Sequence, residues 1–200
     1  MAIQLTTFGG LGIEGDTEGL DRLLSQHSRA ALFIYLAVER RVSRESVTAM
    51  FWPESDAENA RHALRQSLYQ LRKAVGDVEW IESRAHELAV TDQVRTDAQI
   101  FTDAMQAADA ESAVRLYHGP FLEGVHLVDL KPWESWVDGR RAQYARMFRK
   151  GIRDLLDARR ATGDLAGAID AAERWAARDP SDGEAQHRLI EALAAAGERG

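Results

Sequence analysis

The chain has 200 residues, 25 basic and 32 acidic side chains, a formal net charge of -7 and no cysteine. This length suits one large domain or two small ones, and the 45% hydrophobic content supports buried cores and argues against a disordered chain. The absence of cysteine excludes disulfides and thiolate metal sites. The opening MAIQLTTFGGLG lacks the features of a secretory signal, and no stretch approaches the roughly 18 apolar residues of a membrane span. We therefore expect a cytoplasmic protein without a membrane partner.

The first part of the chain predicts two short strands followed by two helices. Apolar and polar residues alternate over residues 3–7 and 11–13, with a Gly-Gly turn signal between them. His27–Val38 is apolar almost all round, which predicts a buried helix. Ser43 is expected to cap a short helix, RESVTAMF, that ends before Pro53.

The next segment predicts an amphipathic helix with a cationic outer face. The stretch 59–76, NARHALRQSLYQLRKAVG, contains no carboxylate although the whole chain is acidic. Ser55 and Glu58 form a capping-box pattern at its start, and Gly76 is expected to end it. The apolar stripe expected to face the core consists of Ala57, Ala60, Leu64, Leu68, Leu71 and Val75.

A hairpin is expected after the cationic helix. Val78–Ile81 and Glu87–Val90 are predicted strands joined by the turn ESRAH. The order of strands, buried helix, short helix, turn, cationic helix and hairpin is that of a winged helix-turn-helix preceded by a small sheet. Residues 40–76 carry seven basic and four acidic groups, whereas blocks 1–39 and 77–96 are each net -3.

From Asp97 onward the pattern is entirely helical, after a polar connector at Thr91–Thr96. The strongest helix is expected to begin at Pro132. Its buried stripe is predicted to comprise Trp133, Trp136, Tyr144, Phe148, Ile152 and Leu155.

The C-terminal part carries a repeat typical of tetratricopeptide proteins. ATGD at residues 161–164 recurs as AAGE at 195–198, a step of 34 residues, and Asp179-Pro180 ends the helix between them. We therefore predict a mainly α protein with a small β component, with a winged helix-turn-helix at 1–94 and an all-α tetratricopeptide-like domain at 95–200. A last helix at about 182–196 would leave part of its apolar face uncovered, so this domain is expected to be truncated at its C-terminus.

Enzyme motifs are absent from the sequence. No HExxH zinc pattern and no glycine-rich phosphate loop with Lys-Ser/Thr occurs, and Phe8-Gly9-Gly10-Leu11-Gly12 opens no helix. The carboxylates are scattered in a way typical of solvated helix faces. We therefore predict that the protein is not an enzyme and has no cofactor and no metal site.

The cationic helix is the best candidate for a functional site. Arginine can pair with guanine, asparagine and glutamine with adenine, and lysine or arginine with phosphate, so this helix could read a major groove. Arg44 before it could clamp the DNA backbone, together with Arg40 and Arg41, and Arg84 at the hairpin tip could contact a minor groove or phosphate. The alternative for each is an ordinary solvated side chain. The predicted DNA-binding residues are Arg44, Asn59, Arg61, His62, Arg65, Gln66, Tyr69, Arg72, Lys73 and Arg84.

A second set of cations lies on the long helix, and we expect it to be structural. Such residues more often cover and salt-bridge a helical bundle than bind phosphate, and Trp133 and Trp136 are expected to be core anchors. The cations of this set are Arg140, Arg141, Arg146, Arg149, Lys150 and Arg153.

Several motifs resemble those of one bacterial family. VSRE at residues 42–45, FWPE at 51–54, Ala60-Arg61 and LRQSLYQLRK at 64–73 are similar to the DNA-binding half of SARP-type transcriptional activators. Leu116–Gly124, LYHGPFLEG, resembles the signature of the bacterial transcriptional activator domain that follows that half. Further matches to that domain are Trp136 with Arg140 or Arg141, Asp179-Pro180, Glu184 and His187-Arg188.

The resemblance implies a sequence-specific transcriptional activator. Its ligand would be double-stranded promoter DNA, bound as direct repeats by a side-by-side homodimer, and its partner would be RNA polymerase. The alternative is a helical-repeat protein-interaction module whose winged helix binds protein rather than DNA. The cationic helix favours the first, and the acidic total favours the second.

Overall fold

The computed structural model is mainly helical with two small sheets, as the sequence predicts. It describes residues 3–14, 18–76, 78–126 and 128–197. Among the helices in these ranges, none has the length and apolar character needed to cross a membrane.

The first sheet joins the start of the chain to residues far along it. Strand β1, Ile3–Thr6, pairs antiparallel with β2, Gly12–Glu14, as predicted. Its other edge pairs in parallel with β6, Val94–Thr96. The prediction of a polar connector through Thr96 is therefore wrong at its end. Burial of Val94 and Thr96 on one side of the strand, with Arg95 exposed on the other, explains how so polar a segment joins the sheet.

The next helices build the core of the N-terminal half. Helix α1, Glu18–Leu24, is not among the predicted elements. Helix α2, His27–Glu39, is buried from Ala30 to Val38, which confirms the prediction of an internal helix. Helix α3, Arg44–Phe51, begins as expected, because the Ser43 hydroxyl accepts the Ser46 amide at 2.9 Å.

Helix α4, Ala57–Val75, is the predicted cationic helix, but its cap differs from the prediction. The N-cap is Asp56 rather than Ser55, since the Asp56 carboxylate accepts the amides of Glu58 and Asn59 at 3.0 and 2.9 Å. A carboxylate at this position can satisfy two free amides and also suits the positive end of the helix dipole. With the helix starting later, Ala57 is exposed instead of lying in the buried stripe. Gly76 ends the helix with φ +81°, as its position predicts.

The second sheet contains the predicted hairpin and one additional strand. Strand β4, Ile81–Ser83, pairs antiparallel with β5, Glu87–Val90. The first hairpin strand thus begins at Ile81 and not at Val78, because Trp80 turns into the core, where it is fully buried. On the other side of β5 lies β3, Arg41–Ser43, a strand that is not among the predicted elements. We call the β4–β5 hairpin the wing.

The described part of the C-terminal half is mainly helical but contains a long loop, at 117–126 and 128–130, so the prediction of an entirely helical region is wrong there. The loop is held by tertiary contacts: Gly9 donates its amide to the Pro120 carbonyl at 3.0 Å, and Arg141 donates to the carbonyls of Phe121 and Leu122. The helices are α5, Asp97–Gln106; α6, Ala110–Leu116; α7, Lys131–Thr162; α8, Leu165–Arg178; and α9, Gly183–Gly197.

The 34-residue step of the sequence corresponds to one helix pair. Gly163 ends α7 in the left-handed conformation at φ +75°, and Asp164 then caps α8 by accepting the Gly167 amide. Helix α8 stops before Asp179-Pro180, and α9 ends at Gly197. The pair therefore has the helix–turn–helix form of a tetratricopeptide unit.

The inner stripe of α7 agrees with the prediction at four of its six positions. Trp133, Tyr144, Phe148 and Ile152 are buried. The other two predicted positions, Trp136 and Leu155, are partly buried, and the fully buried positions beside them are Val137 and Leu156.

Aromatic packing joins α7 to the N-terminal half. Phe51 of α3 lies 6.0 Å from Trp133 between ring centroids, and Tyr35 of α2 lies 5.1 Å from Trp136. Glu39 accepts hydrogen bonds from the Trp136 indole and from Arg140, and the Glu39–Arg140 ion pair has low solvent exposure. This confirms the two tryptophans as core anchors.

Candidate nucleic-acid interface

The cationic helix α4 is fixed by its apolar side. Leu64, Leu68 and Leu71 are 0 to 3% exposed and pack into the common core. Helix α3 packs against the same helix, and α1 contacts it near its end. With the back of α4 buried in this way, its opposite face is presented to solvent.

That outer face carries most of the predicted DNA-binding residues. Tyr69 is 64% exposed, a large value for an aromatic side chain on a helix. The exposed predicted residues on α4 are Asn59, Arg61, His62, Arg65, Gln66, Tyr69, Arg72 and Lys73.

A groove of about 660 Å³ lies beside this face, between α4, the first turn of α3 and the tip of the wing. Four of the predicted residues line it: Arg44, Arg61, Arg65 and Arg84. The structure therefore brings cations from three separate elements around one concave surface.

Arg44 links the helix-turn-helix to the wing. Its Nε donates to the Arg84 carbonyl at 3.0 Å, and another guanidinium nitrogen donates to the Ser83 hydroxyl. Partial burial, followed by the positive charges of Arg72 and Arg65, lowers the pKa of Arg44. Arg72 and Arg65 thus each disfavour the charged form of Arg44, and a bound anion would offset that repulsion.

Besides Arg44, three of the predicted residues already have intramolecular partners. The Asn59 amide donates to Asp56 at 2.6 Å, Arg61 donates through Nε to the Ala57 carbonyl at 2.8 Å, and Arg84 pairs with Glu82 at 3.2 Å. All of these contacts are exposed to solvent, where each contributes little and exchanges readily.

The remaining predicted residues lie outside the groove. Arg72 lines a separate depression near Gly76 and Trp80. His62, Gln66, Tyr69 and Lys73 lie on the outward surface of α4, away from the wing tip.

The groove also contains polar residues that the sequence analysis did not single out as binding residues. Ser43, Glu45, Thr48 and His86 line it, so the lining includes one carboxylate. In the sequence, Ser43 indicates only a helix cap and His86 only a position in the hairpin turn. Their spacing in the sequence does not indicate that they come together, because this contact arises only when the turn of the wing folds back over the start of α3.

The two arginines before Arg44 have structural roles in the fold. Arg40 donates to the Thr91 and Val94 carbonyls at 2.9 and 2.8 Å, which ties the end of α2 to the start of β6. Arg41 pairs with Glu87 across the second sheet at 2.8 Å.

The second set of cations, on α7, is largely used within the fold. Arg140 pairs with Glu39, Lys150 with Asp154 and Arg153 with Glu184, while Arg141 holds the loop carbonyls. This confirms the structural interpretation for these four residues. No group of three or more potential metal ligands occurs in the described ranges.

Comparison with known proteins identifies the C-terminal part. A family model described as the bacterial transcriptional activator domain matches residues 83–200, which is more than half of the chain. No curated protein matches.

A solved structure shares the fold over nearly the whole chain. It is the Mycobacterium tuberculosis protein EmbR in complex with a low affinity phosphopeptide, with a TM-score of 0.62 and 17% sequence identity. The match covers 98% of this chain but 55% of the EmbR chain, so the present chain spans about half of that protein's length. On this domain match, the chain belongs to the bacterial transcriptional activator domain family.

Proposed function

We propose that the protein is a sequence-specific DNA-binding transcriptional activator. The observation that supports this best is the outer face of α4 from Asn59 onward, which has no carboxylate, beside a groove lined by Arg44, Arg61, Arg65 and Arg84 together with Glu45. A helix held from behind, with long hydrogen-bond donors in front, is the arrangement that enters a major groove. Arginine or lysine contacts to phosphate would supply most of the affinity.

We assign each residue of the interface a role in DNA binding from its position on α3, α4 or the wing. Arg65, Gln66 and Tyr69 near the middle of α4 would meet base edges, and Asn59, Arg61 and His62 would do so nearer its N-terminus. Arg44, Arg72 and Lys73 would contact phosphates. Arg84 at the wing tip would reach the neighbouring minor groove or a phosphate, which requires it to leave Glu82.

The two parts of the chain would have separate roles. Residues 1–94 would form the DNA-binding unit, and residues 95–200 the activator unit that contacts RNA polymerase. Strand β6 at the junction completes the sheet of the first unit, so the two units would act as a connected pair. On promoter direct repeats, two copies would bind side by side.

Protein binding by the winged helix is the second candidate. Two observations favour it: the net charge of -7, and the phosphopeptide present in the complex of the structurally similar EmbR. An acidic protein is repelled from DNA at long range, so DNA binding must rely on the local cations.

The salt dependence of DNA binding distinguishes the two candidates. For duplex DNA the logarithm of the binding constant should fall with the logarithm of salt concentration, by about 0.9 for each phosphate contacted. We expect a modest slope, because few cations are available. An absence of binding to any genomic fragment at low salt would exclude the activator proposal.

A matched pair of charge reversals tests the interface itself. Arg65→Glu should abolish binding, since it replaces a donor by a group that phosphate repels. Arg174→Glu makes the same change on the exposed surface of α8, remote from α4, and should bind DNA as the parent does. Both should melt close to the parent temperature, as surface variants usually do. Equal affinities of the two variants would disprove the role of Arg65.

A further inference from the structure

A second cavity lies in the activator half, away from the arginine groove. It has a volume of about 350 Å³ and is enclosed by the loop after α6, the middle of α7 and the end of α8. This volume is within the range of about 300 to 1,000 Å³ typical of small-molecule sites.

Two aromatic rings form one wall of this cavity. Tyr117 and Phe148 both line it and stack on each other, with centroids 4.5 Å apart and planes inclined by 19°. Burial raises the pKa of the Tyr117 hydroxyl, so the phenol stays neutral at physiological pH. The wall is therefore flat and uncharged.

Arg178 lines the same cavity and lies over both rings. Its guanidinium carbon is 5.8 Å from the Tyr117 centroid and 5.7 Å from the Phe148 centroid, within reach of a cation–π interaction. Its Nη1 is buried and has no hydrogen-bond acceptor among the described residues. Burial also lowers the pKa of Arg178, which reflects the cost of keeping this cation away from water.

An unpaired buried guanidinium nitrogen is unusual in a folded protein. Buried polar groups almost always find partners, and leaving a charged donor without one is more costly than leaving a neutral donor without one. The rings offset part of this cost but offer no acceptor in the plane of the guanidinium. Arg178 is thus prepared for an anionic acceptor.

A second cation, Arg149, lines the cavity and is exposed there. Two of the three carboxylates in the lining accept hydrogen bonds within the fold. Asp179 accepts from the Ser181 hydroxyl at 2.7 Å, and Asp182 caps α9 by accepting the Glu184 amide at 3.0 Å. The third carboxylate is Glu123.

We propose that this cavity binds a small aromatic carboxylate. Its ring would pack on the Tyr117–Phe148 wall, and its carboxylate would accept hydrogen bonds from Arg178 and Arg149, for which the arginine fork is well suited. Because Nη1 is closed to solvent, binding requires the guanidinium to tilt from the rings toward the cavity. The loop that forms the site also accepts the Gly9 amide through Pro120, so the ligand would lie next to the first sheet of the DNA-binding half.

Benzoate and its neutral isostere benzamide provide a direct test. Binding is measured on the whole chain without DNA, by saturation-transfer NMR of the ligand. We expect benzoate to bind with a dissociation constant in the millimolar range. Benzamide should bind at least about tenfold more weakly, a difference of about 1.4 kcal/mol. Equal binding of the two compounds, or no binding of benzoate, would overturn the proposal.

Variants on one helix locate the site. Arg178→Met should weaken benzoate binding at least about tenfold, or 1.4 kcal/mol. Arg174→Met, on the exposed side of α8, should leave it unchanged. If Arg178→Met does not fold by circular dichroism, Arg149→Met, an exposed substitution, takes its place with the same expectation. Parent-like binding by the folded Arg178→Met variant, or by its replacement, would rule out this site.

Discussion

A single buried carboxylate, Asp97, fixes the start of the helical half to the first sheet. It is 5% exposed and accepts both the Thr7 amide, at 2.8 and 2.9 Å, and the Phe8 amide, at 2.9 Å. It also accepts the Thr7 hydroxyl and the Ala98 amide. These bonds span about 90 residues of sequence, so the side chain holds together parts of the chain that no local signal connects.

Asp97→Asn should destabilise the fold strongly, although the two side chains are nearly equal in size. It replaces one acceptor oxygen by an NH₂ group that faces backbone donors, so buried amides lose their acceptor at about 1 to 3 kcal/mol each. Urea unfolding should show a total loss of about 2 kcal/mol or more. Asp103→Asn, an exposed partner of Arg95, is the control and should change stability by less than about 0.5 kcal/mol. A parent-like midpoint for Asp97→Asn would contradict this role.

At the scale of elements, the two faces of α4 have separate roles: one packs in the core and the other is exposed. Leu68 is 3% exposed, whereas its neighbour Tyr69 is 64% exposed. Leu68→Ala should lower the free energy of unfolding by about 2 to 5 kcal/mol, since it leaves a cavity in the core. Its DNA affinity should fall only through the unfolded fraction.

Tyr69→Ala is the complementary variant on the same helix. It should leave stability within about 0.5 kcal/mol of the parent and weaken DNA binding, because an exposed aromatic ring contributes contact with the ligand rather than with the core. Thermal melts and DNA titrations of both variants give the comparison. The assignment of the two faces fails if Leu68→Ala melts like the parent.

The carboxylates at the ends of several helices should make the stability of the fold sensitive to acid. Hydrogen bonds to the carboxylates of Asp56, Asp109, Asp164 and Asp179 lower the pKa of each. For Asp164 the first cause is the hydrogen bond from Arg159, followed by the Gly167 amide. A depressed carboxyl pKa stabilises the fold above the unfolded value of about 3.9, and this contribution disappears as pH falls through the lower folded value.

Asp164→Asn tests this dependence at one cap. The amide can still cap α8 but does not titrate, so the variant should lose less stability than the parent between about pH 5 and pH 3. Urea midpoints across this range provide the measurement. Asp138→Asn, within α7 and not at a cap, should follow the parent curve. Parallel loss in the parent and Asp164→Asn would show that this cap does not contribute.

Elements with strong local patterns are the ones that sequence predicts well. The apolar run of α2, the cap at Ser43 and the stripe of α4 from Ala60 onward are each determined by neighbouring residues, and the structure confirms them. Strands β3 and β6 are three residues long and find partners about 46 and 91 residues away in sequence, so periodicity could not reveal them. The arginine groove depends on the same long-range pairing, because it is the sheet that carries Arg84 to Arg44.

At the scale of the whole molecule, the two halves share one core. Phe8, from the turn after β1, contacts Phe101 of α5, Tyr117 after α6 and Tyr144 of α7, with ring centroids 5.3, 4.9 and 5.3 Å apart. Together with the Glu39–Arg140 pair, this packing means that the N-terminal and C-terminal halves should unfold as one cooperative unit.

Phe8→Ala is the substitution that tests this shared core. It removes a ring that is 2% exposed and should reduce stability by about 3 to 5 kcal/mol. Because the ring touches helices of the C-terminal half, native-state hydrogen exchange should accelerate in α5 and α7 as well as in α2. Ile190→Ala on α9, where the side chain is 64% exposed, is the control and should leave exchange unchanged throughout. If Phe8→Ala accelerates exchange in only one of the two halves, the halves are independent folding units, and a signal at the C-terminal half could not reach α4 through the core.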